Sequence, residues 1–267
     1  MRHRSAVLSM GLALLCGCGN NSLRQTGTQP PPAITLSAAQ VFSPTVGQVW
    51  TFQNGYGDTT TIAIQAAPDP AACISGKNIV WHYSKSAARA YWQLGVADAE
   101  LDFVLHQEAD GSWRSVASLI SFPHSCPYCV GGWTSGTLDP LPMPGQPLPY
   151  LIVPGSATQG HTDSLQTQYA ASWDLTQQTL ACLPDPGPGS AVPWRTDAYV
   201  ENVSTPAYTG PAMVSEQWEG PCFPAQAGCN HEKWYFAPNL GLVKVVPLDQ
   251  GQGQDNVDPK LAIERIP

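Results

Sequence analysis

Proline and glycine recur so often along this chain that few stretches are long enough for a helix of ordinary length. The 267 residues include 26 prolines and 24 glycines, and only 12% of the residues are charged. Proline lacks a backbone donor and breaks a helix, whereas short strands joined by turns accommodate both residue types. The composition therefore predicts an all-β fold, long enough for one large domain or two small ones.

Alternating apolar residues predict two hairpins followed by a series of short strands. Residues 49–52 and 60–64 flank turn residues 54–58, and residues 101–105 and 113–120 flank a turn at 109–111. Later strands are predicted at 165–175, 197–204, 213–218, 233–236 and 242–246. Residues 84–93 favour one short helix or a bend.

Two proline-rich stretches, residues 139–149 and 184–193, are predicted to be long surface loops within one domain. A division into two domains near residue 145 is the alternative, because the length allows it.

The N-terminus has the order of features found in a signal peptide. Met1-Arg2-His3-Arg4 precedes an apolar stretch at 6–15, which ends in Leu15-Cys16-Gly17-Cys18. These last four residues resemble the lipobox of bacterial lipoproteins, which implies cleavage after Gly17 and a lipid on Cys18. An ordinary secreted protein or an uncut signal anchor are the alternatives. The predicted organisation is a signal peptide at 1–17, a lipidated flexible tether at 18–36 and a single all-β domain at 37–267.

The charge balance limits the class of partner. The formal net charge is −8, and residues 1–17 contain two arginines but no acid, so the processed chain is more acidic still. We expect no nucleic-acid binding and no electrostatic attraction to anionic lipid, so attachment to a membrane depends on the lipid at Cys18. Gly19, rather than an aspartate, follows Cys18, which resembles lipoproteins of the bacterial outer membrane.

Two segments carry a further resemblance. Residues 42–52, with Pro44, Gly47 and Trp50, and residues 234–244, with Ala237-Pro238-Asn239-Leu240-Gly241-Leu242-Val243-Lys244, are similar to the opening and closing motifs of a broad group of uncharacterised bacterial lipoproteins. The resemblance implies a strongly curved antiparallel sheet, or an open barrel or sandwich, comparable to the open barrels of the lipoprotein carriers LolA and LolB. It implies no activity.

Six cysteines remain beyond Cys16 and Cys18, and an even number in an exported chain predicts disulfides. Cys222 and Cys229 enclose a compact loop and are the first expected pair. The other four allow three connectivities, of which Cys73–Cys182 with Cys126–Cys129 is the simplest.

The segment Cys126-Pro127-Tyr128-Cys129 repeats the glutaredoxin tetrapeptide, and His124 beside it suggests a zinc site as a second possibility. The glycine-rich residues 130–136 exclude the helix that a redox cysteine needs, and an oxidising compartment favours a disulfide over thiolate ligands. We therefore expect a structural bond.

Other patterns predict no catalytic, cofactor or metal site. Neither Gly-x-Ser-x-Gly nor His-Glu-x-x-His occurs in the sequence. Weaker patterns suggest a triad, a glycosidase pair and a calcium loop: His161, Asp163 and Ser164; Glu216 and Glu219; and Asp249, Asp255 and Asp258. We expect the three aspartates to lie in a solvated polar loop and none of the other residues to be catalytic, because triad members converge from distant segments and some proximity among 20 acids occurs by chance.

Nine tryptophans are spread along the chain, and most are expected to fill the concave core of a curved sheet. Trp133 and Trp194 lie in predicted loops and are the candidates for exposed binding aromatics. The function predicted is therefore a non-catalytic lipoprotein that binds an apolar ligand or a protein segment in an aromatic-lined cleft. The alternatives are a carbohydrate-binding module of the cell envelope, using Trp133 and Trp194, and a thiol–disulfide exchanger using Cys126 and Cys129.

Overall fold

A computed structural model describes residues 32–67, 76–85, 100–121, 135–142, 151–174, 191–219, 230–250 and 258–267. Residues Ala33–Pro267 form one compact unit. The elements are β1 (Thr35–Ser37), α1 (Ala38–Val41), β2 (Val49–Asn54), β3 (Thr59–Ala66), β4 (Asn78–Lys85), β5 (Glu100–Gln107), β6 (Trp113–Ser121), β7 (Ser135–Pro142), β8 (Leu151–Val153), β9 (Ser156–Thr158), β10 (Asp163–Asp174), β11 (Ala191–Thr205), β12 (Tyr208–Glu219), β13 (Asn230–Ala237), β14 (Gly241–Gln250), a 3-10 turn (Pro259–Leu261) and β15 (Ile263–Arg265).

Within the described residues, thirteen strands form one antiparallel sheet in the order β5-β4-β3-β2-β15-β14-β13-β12-β11-β10-β7-β6-β8, and β5 also pairs with β6. Strands β1 and β9 form a separate two-stranded sheet. Strands from both sides of residue 145 belong to the large sheet. The C-terminal strand β15 lies between β14 and β2, so it joins the first hairpin to the last.

The predicted all-β fold with a strongly curved antiparallel sheet is confirmed, as are both hairpins and all five later strands. The helix considered at 84–93 begins inside β4 at residues 84 and 85, and its remainder lies outside the described residues.

Two predicted loops are partly wrong, because strands extend into them. β7 takes residues 139–142 from the first loop, and β11 takes residues 191–193 from the second. Pro140 and Pro142 pair only with β10, since the pairing of β7 with β6 ends at Leu138. Among the residues that the structure describes, Pro193 likewise pairs with β10 alone, since the described pairing of β11 with β12 begins at Trp194. A missing donor on the unpaired side of a strand breaks no ladder bond, so proline is tolerated there.

Strand β1 begins before the predicted domain boundary at residue 37. Thr35 and Leu36, assigned to the tether, lie in β1, and Leu36 is buried. A single helical turn, α1, follows. The backbone N–H of Ser37 donates to Oε1 of Gln40 at 2.8 Å, which is one half of a capping box.

An aromatic core fills the concave side of the sheet around Phe42. Its ring lies 5.4–6.0 Å from the rings of four other residues: Trp50, Trp81, Trp113 and Phe236. These residues come from β2, β4, β6 and β13, so the sheet curves far enough for well-separated strands to meet one side chain. Trp234 contacts Trp81, so four tryptophans among the described residues lie in this core.

The two segments that carried the lipoprotein resemblance pack directly against each other. Gly241 begins β14 with φ of 82°, and a Cβ at this position would lie 2.7 Å from Cζ2 of Trp50. Arg265 places its guanidinium carbon 5.5 Å from the centre of the Trp50 ring and donates to the carbonyl of Leu240. The glycine and the tryptophan of the two motifs therefore have a structural explanation.

Candidate functional site

Alternation along β11 separates a core-facing row of side chains from an outer row. Thr196 and Ala198 are buried on the concave side, whereas Arg195, Asp197 and Tyr199 alternate with them and point to the opposite face of the sheet. The outer face is defined here as the face turned away from the aromatic core. It brings polar side chains of β11, β12 and β13 into register.

The first row across this face is a stack of three planar groups. Arg195 pairs with Trp218, which pairs with His231. The guanidinium carbon of Arg195 lies 4.9 Å from the centre of the Trp218 ring. The rings of Trp218 and His231 are 4.5 Å apart with an angle of 16° between their planes. Because β12 lies between β11 and β13, the indole is held between a cation and an imidazole.

The second row consists of Asp197, Glu216 and Lys233, which are also paired across the three strands. Asp197 accepts two bonds of 2.6 Å from the Nε and Nη2 groups of Arg195. This is the bidentate geometry that makes an arginine–carboxylate pair strong and rigid.

Glu216 is the centre of the network. Its carboxylate lies 2.8 Å from Nε2 of His231 and 3.6 Å from Nζ of Lys233, and it accepts a bond of 2.7 Å from the hydroxyl of Tyr199. The six residues of the two rows, together with Tyr199, are called the outer-face ladder: Arg195, Asp197, Tyr199, Glu216, Trp218, His231 and Lys233.

Burial and hydrogen bonding fix the protonation of two residues of this ladder, Glu216 and Tyr199. Although burial alone would raise the pKa of the Glu216 carboxyl, hydrogen bonds from His231 and Tyr199 and the charge of Lys233 hold this pKa below its ordinary value. Burial raises the pKa of the Tyr199 phenol, and its bond to Glu216 raises that pKa further. At neutral pH, Glu216 is therefore ionised and Tyr199 is a neutral donor.

The charged side chains of the ladder are only 9–27% exposed. Next to them on the outer face lies a second apolar cluster that includes Val214, Tyr235 and Val243. The ladder is thus a partly dehydrated polar strip beside an apolar one, with its charges already paired to one another.

One predicted site residue is contradicted. Trp194 was expected to be exposed in a loop, but it lies in β11 and is 6% exposed, and its Nε1 donates to Oγ1 of Thr196 at 2.9 Å. The expectation is wrong because β11 starts three residues earlier, at Ala191, and alternation then turns Trp194 toward the core side.

The other residues predicted from the sequence lie outside the described part of the chain, so these predictions stay predictions. They are the lipidation residue, the six expected disulfide cysteines and the second candidate aromatic: Cys18, Cys73, Cys126, Cys129, Cys182, Cys222, Cys229 and Trp133.

Among the weaker candidates, His161 and Asp163 form an exposed pair at 3.0 Å, and Asp258 caps the 3-10 turn. The described residues contain no group of three or more histidines, cysteines or acids placed to hold a metal ion.

Glu216 was considered only as one of a pair of acids, and the ladder as a whole was not predicted. The available signal was the alternation of polar residues at 195, 197 and 199, which places them on one face. Trp218 and His231 join this face because β12 pairs with β11 and β13 pairs with β12 in a particular register, and the sequence alone does not show which strands pair.

No known family model, curated protein or solved structure matches this chain. Among the described residues, no helix is both long enough and apolar enough to cross a membrane.

Proposed function

We propose that the protein is a lipoprotein of the bacterial cell envelope, anchored through a lipid on Cys18, and that its sheet is a non-catalytic scaffold for a protein partner. The lipobox resemblance at residues 15–18 supports the anchor. The outer-face ladder supports the binding role, and it is the observation on which this proposal depends.

The composition and state of the ladder suit a protein interface. Tryptophan, tyrosine and arginine are the residues that most often dominate binding energy at such interfaces, and Trp218, Tyr199 and Arg195 lie together here. The carboxylates are already paired with cations and hydroxyl donors, so a partner that covers them does not leave a charge without a counterpart.

The packing of the concave side disfavours an apolar ligand and so supports a protein as the binding partner. In the described residues that side is filled by the aromatic core, and the cavity beside Trp81, Tyr83 and Trp234 has a volume of about 10 Å³. A cavity of this size holds about one water molecule, which is far less than a lipid or other apolar ligand needs. The carbohydrate-binding alternative loses one of its two candidate aromatics, because Trp194 is buried.

Photocrosslinking next to the ladder tests this proposal. Gln166 is exposed and pairs with Arg195, so a photoreactive amino acid at this position reports on the outer face while the ladder stays intact. Gln65, which is exposed on β3, is the matched control. In cells that express the full chain, we expect a discrete protein adduct from position 166 that is absent from position 65.

The same crosslink should be lost when Trp218→Ala is added, provided that circular dichroism and thermal melting show that the variant is folded. Equal adducts at both positions, or an adduct that persists without Trp218, would rule out the ladder as the binding surface.

A further inference from the structure

The N-terminal segment at residues 33–42 contributes the centre of the core without belonging to the large sheet. Phe42 is 2% exposed and touches four aromatic rings, and Leu36, Ala38 and Val41 are buried with it. The rings that surround Phe42 come from four strands of the large sheet. They form a cage, which we define as Trp50, Trp81, Trp113 and Phe236.

Among the described residues, the backbone of this segment is attached to the rest of the chain at a few points. Strand β1 pairs with β9, and the N–H of Ala38 donates to the carbonyl of Gly155 at 2.8 Å. The carbonyl of Gln40 accepts from the N–H of Asn239, also at 2.8 Å. Every one of these partners lies more than 100 positions away along the chain, so the segment is inserted into a site that the rest of the chain builds.

A short connector joins the inserted segment to β2. Residues 43–48 are mostly exposed, and Val46, at 57% exposure, is among the most exposed large apolar residues described. Pro44 disfavours a helical conformation at Ser43, and Gly47 has a φ of 90°. Gly47 and Gln48 continue the pairing of β2 with β3, because the N–H of Gly47 donates to the carbonyl of Ile64 and the N–H of Ile64 donates to the carbonyl of Gln48, both at 2.8 Å. Residues 43–46 are therefore the part of the connector whose path can change without breaking these two bonds.

We propose that the cage is an interaction surface for a second copy of this chain, which inserts its own residues 33–42 while the two chains fold together. Each cage then receives the same side chains that it receives within one chain, so the exchanged dimer keeps every contact of the core. The single chain and the exchanged dimer differ only in the path of the connector and in the effective concentration of the segment at the cage. Exchange of an identical terminal element is a low-cost route to a dimer.

Paired cysteines test the exchange, because β1 and β9 are in direct register. Thr35 and Thr158 face each other with their hydroxyl oxygens 3.0 Å apart, which is a suitable position for a disulfide. Two differently tagged full-length chains, one with Thr35→Cys and the other with Thr158→Cys, are co-expressed. A disulfide between these two sites joins different chains only if the segment has been exchanged.

We expect at least tenfold more crosslinked heterodimer from this pair than from Thr35→Cys co-expressed with Gln65→Cys. A single chain that carries both Thr35→Cys and Thr158→Cys is the reference for crosslinking within one molecule. If this reference crosslinks and the two-chain sample gives no heterodimer, the proposal is wrong.

If the reference chain does not crosslink, a second measurement tests whether the segment is exchanged between chains. Removing Ser43 and Pro44 shortens the connector but keeps the residues that bond to Ile64, Gly47 and Gln48, and a shorter connector favours exchange over insertion within one chain. We expect this variant to have the mass of a dimer by light scattering. A folded monomer, or a chain that does not fold, would overturn the proposal.

Discussion

At the scale of single residues, the pH dependence of stability depends most clearly on Glu216. Its pKa is lowered in the folded protein, so ionised Glu216 stabilises the fold above its ordinary value of 4.5, and this contribution is lost as the pH falls below that value. Glu216→Gln should reduce the free energy of unfolding by about 1–3 kcal/mol at pH 7, because it weakens charge-assisted hydrogen bonds. The loss should be much smaller at pH 3, as measured by urea unfolding at both values.

Glu264→Gln is the control for this prediction, because Glu264 pairs with Lys244 at 2.6 Å but is 33% exposed. Such a pair contributes about 1 kcal/mol or less. If Glu216→Gln is equally costly at both pH values, the ionised carboxylate is not the source of the stabilisation.

At Gly241, both the backbone conformation and the space beside Trp50 restrict which residue is tolerated. An alanine there has an unfavourable φ and also places its Cβ 2.7 Å from Trp50, so Gly241→Ala should cost about 2–4 kcal/mol. Gly111→Ala is the matched control, since Gly111 has a φ of 85° but nothing lies within 4 Å of the added Cβ. Its cost should be about 1 kcal/mol, from the backbone alone. Thermal and chemical unfolding of both variants separates crowding from strain, and equal costs would mean that Trp50 moves aside.

At the scale of elements, the strands with clear alternation were predictable and those that depend on distant partners were not. The turn at 54–58 and the flanking strands follow local rules, so the first hairpin was predicted to within a few residues. Residues 35 and 36 fall within the predicted tether, and the sequence predicts neither β1 nor α1. Their three or four residues carry little local signal, and they are held by β9 and by the aromatic core.

Prolines produced the errors at strand ends for a related reason. A proline excludes a strand only where both sides of the strand are paired, and whether both sides are paired is a property of the sheet order. The outer-face ladder was missed in the same way. Alternation places Arg195, Asp197 and Tyr199 on one face, but only the register of β12 and β13 adds Trp218 and His231.

At the scale of the whole molecule, the proposed anchor predicts where the protein is found. Cys18→Ser should move the protein from the membrane fraction to the soluble fraction or leave it as an uncleaved precursor, because a lipid on Cys18 is the proposed attachment. Cys16→Ser is the matched control and should remain in the membrane fraction. Detergent phase partitioning and mass spectrometry of the N-terminal peptide measure both outcomes, and a Cys18→Ser protein that remains lipidated would show that the anchor is elsewhere.

The prolines in the strands also bear on how this protein behaves at high concentration. Pro211 and Pro247 resemble Pro140, Pro142 and Pro193 in that, within the described parts of the chain, each pairs with a neighbouring strand on one side only. An unpaired strand edge is where aggregation begins, because it offers a row of donors and acceptors to any extended chain. At the five prolines named here, the unpaired side of the strand has no backbone N–H donor. An incoming strand would find an interrupted ladder at these positions, so the described strand ends that contain proline are poor templates for edge-to-edge pairing.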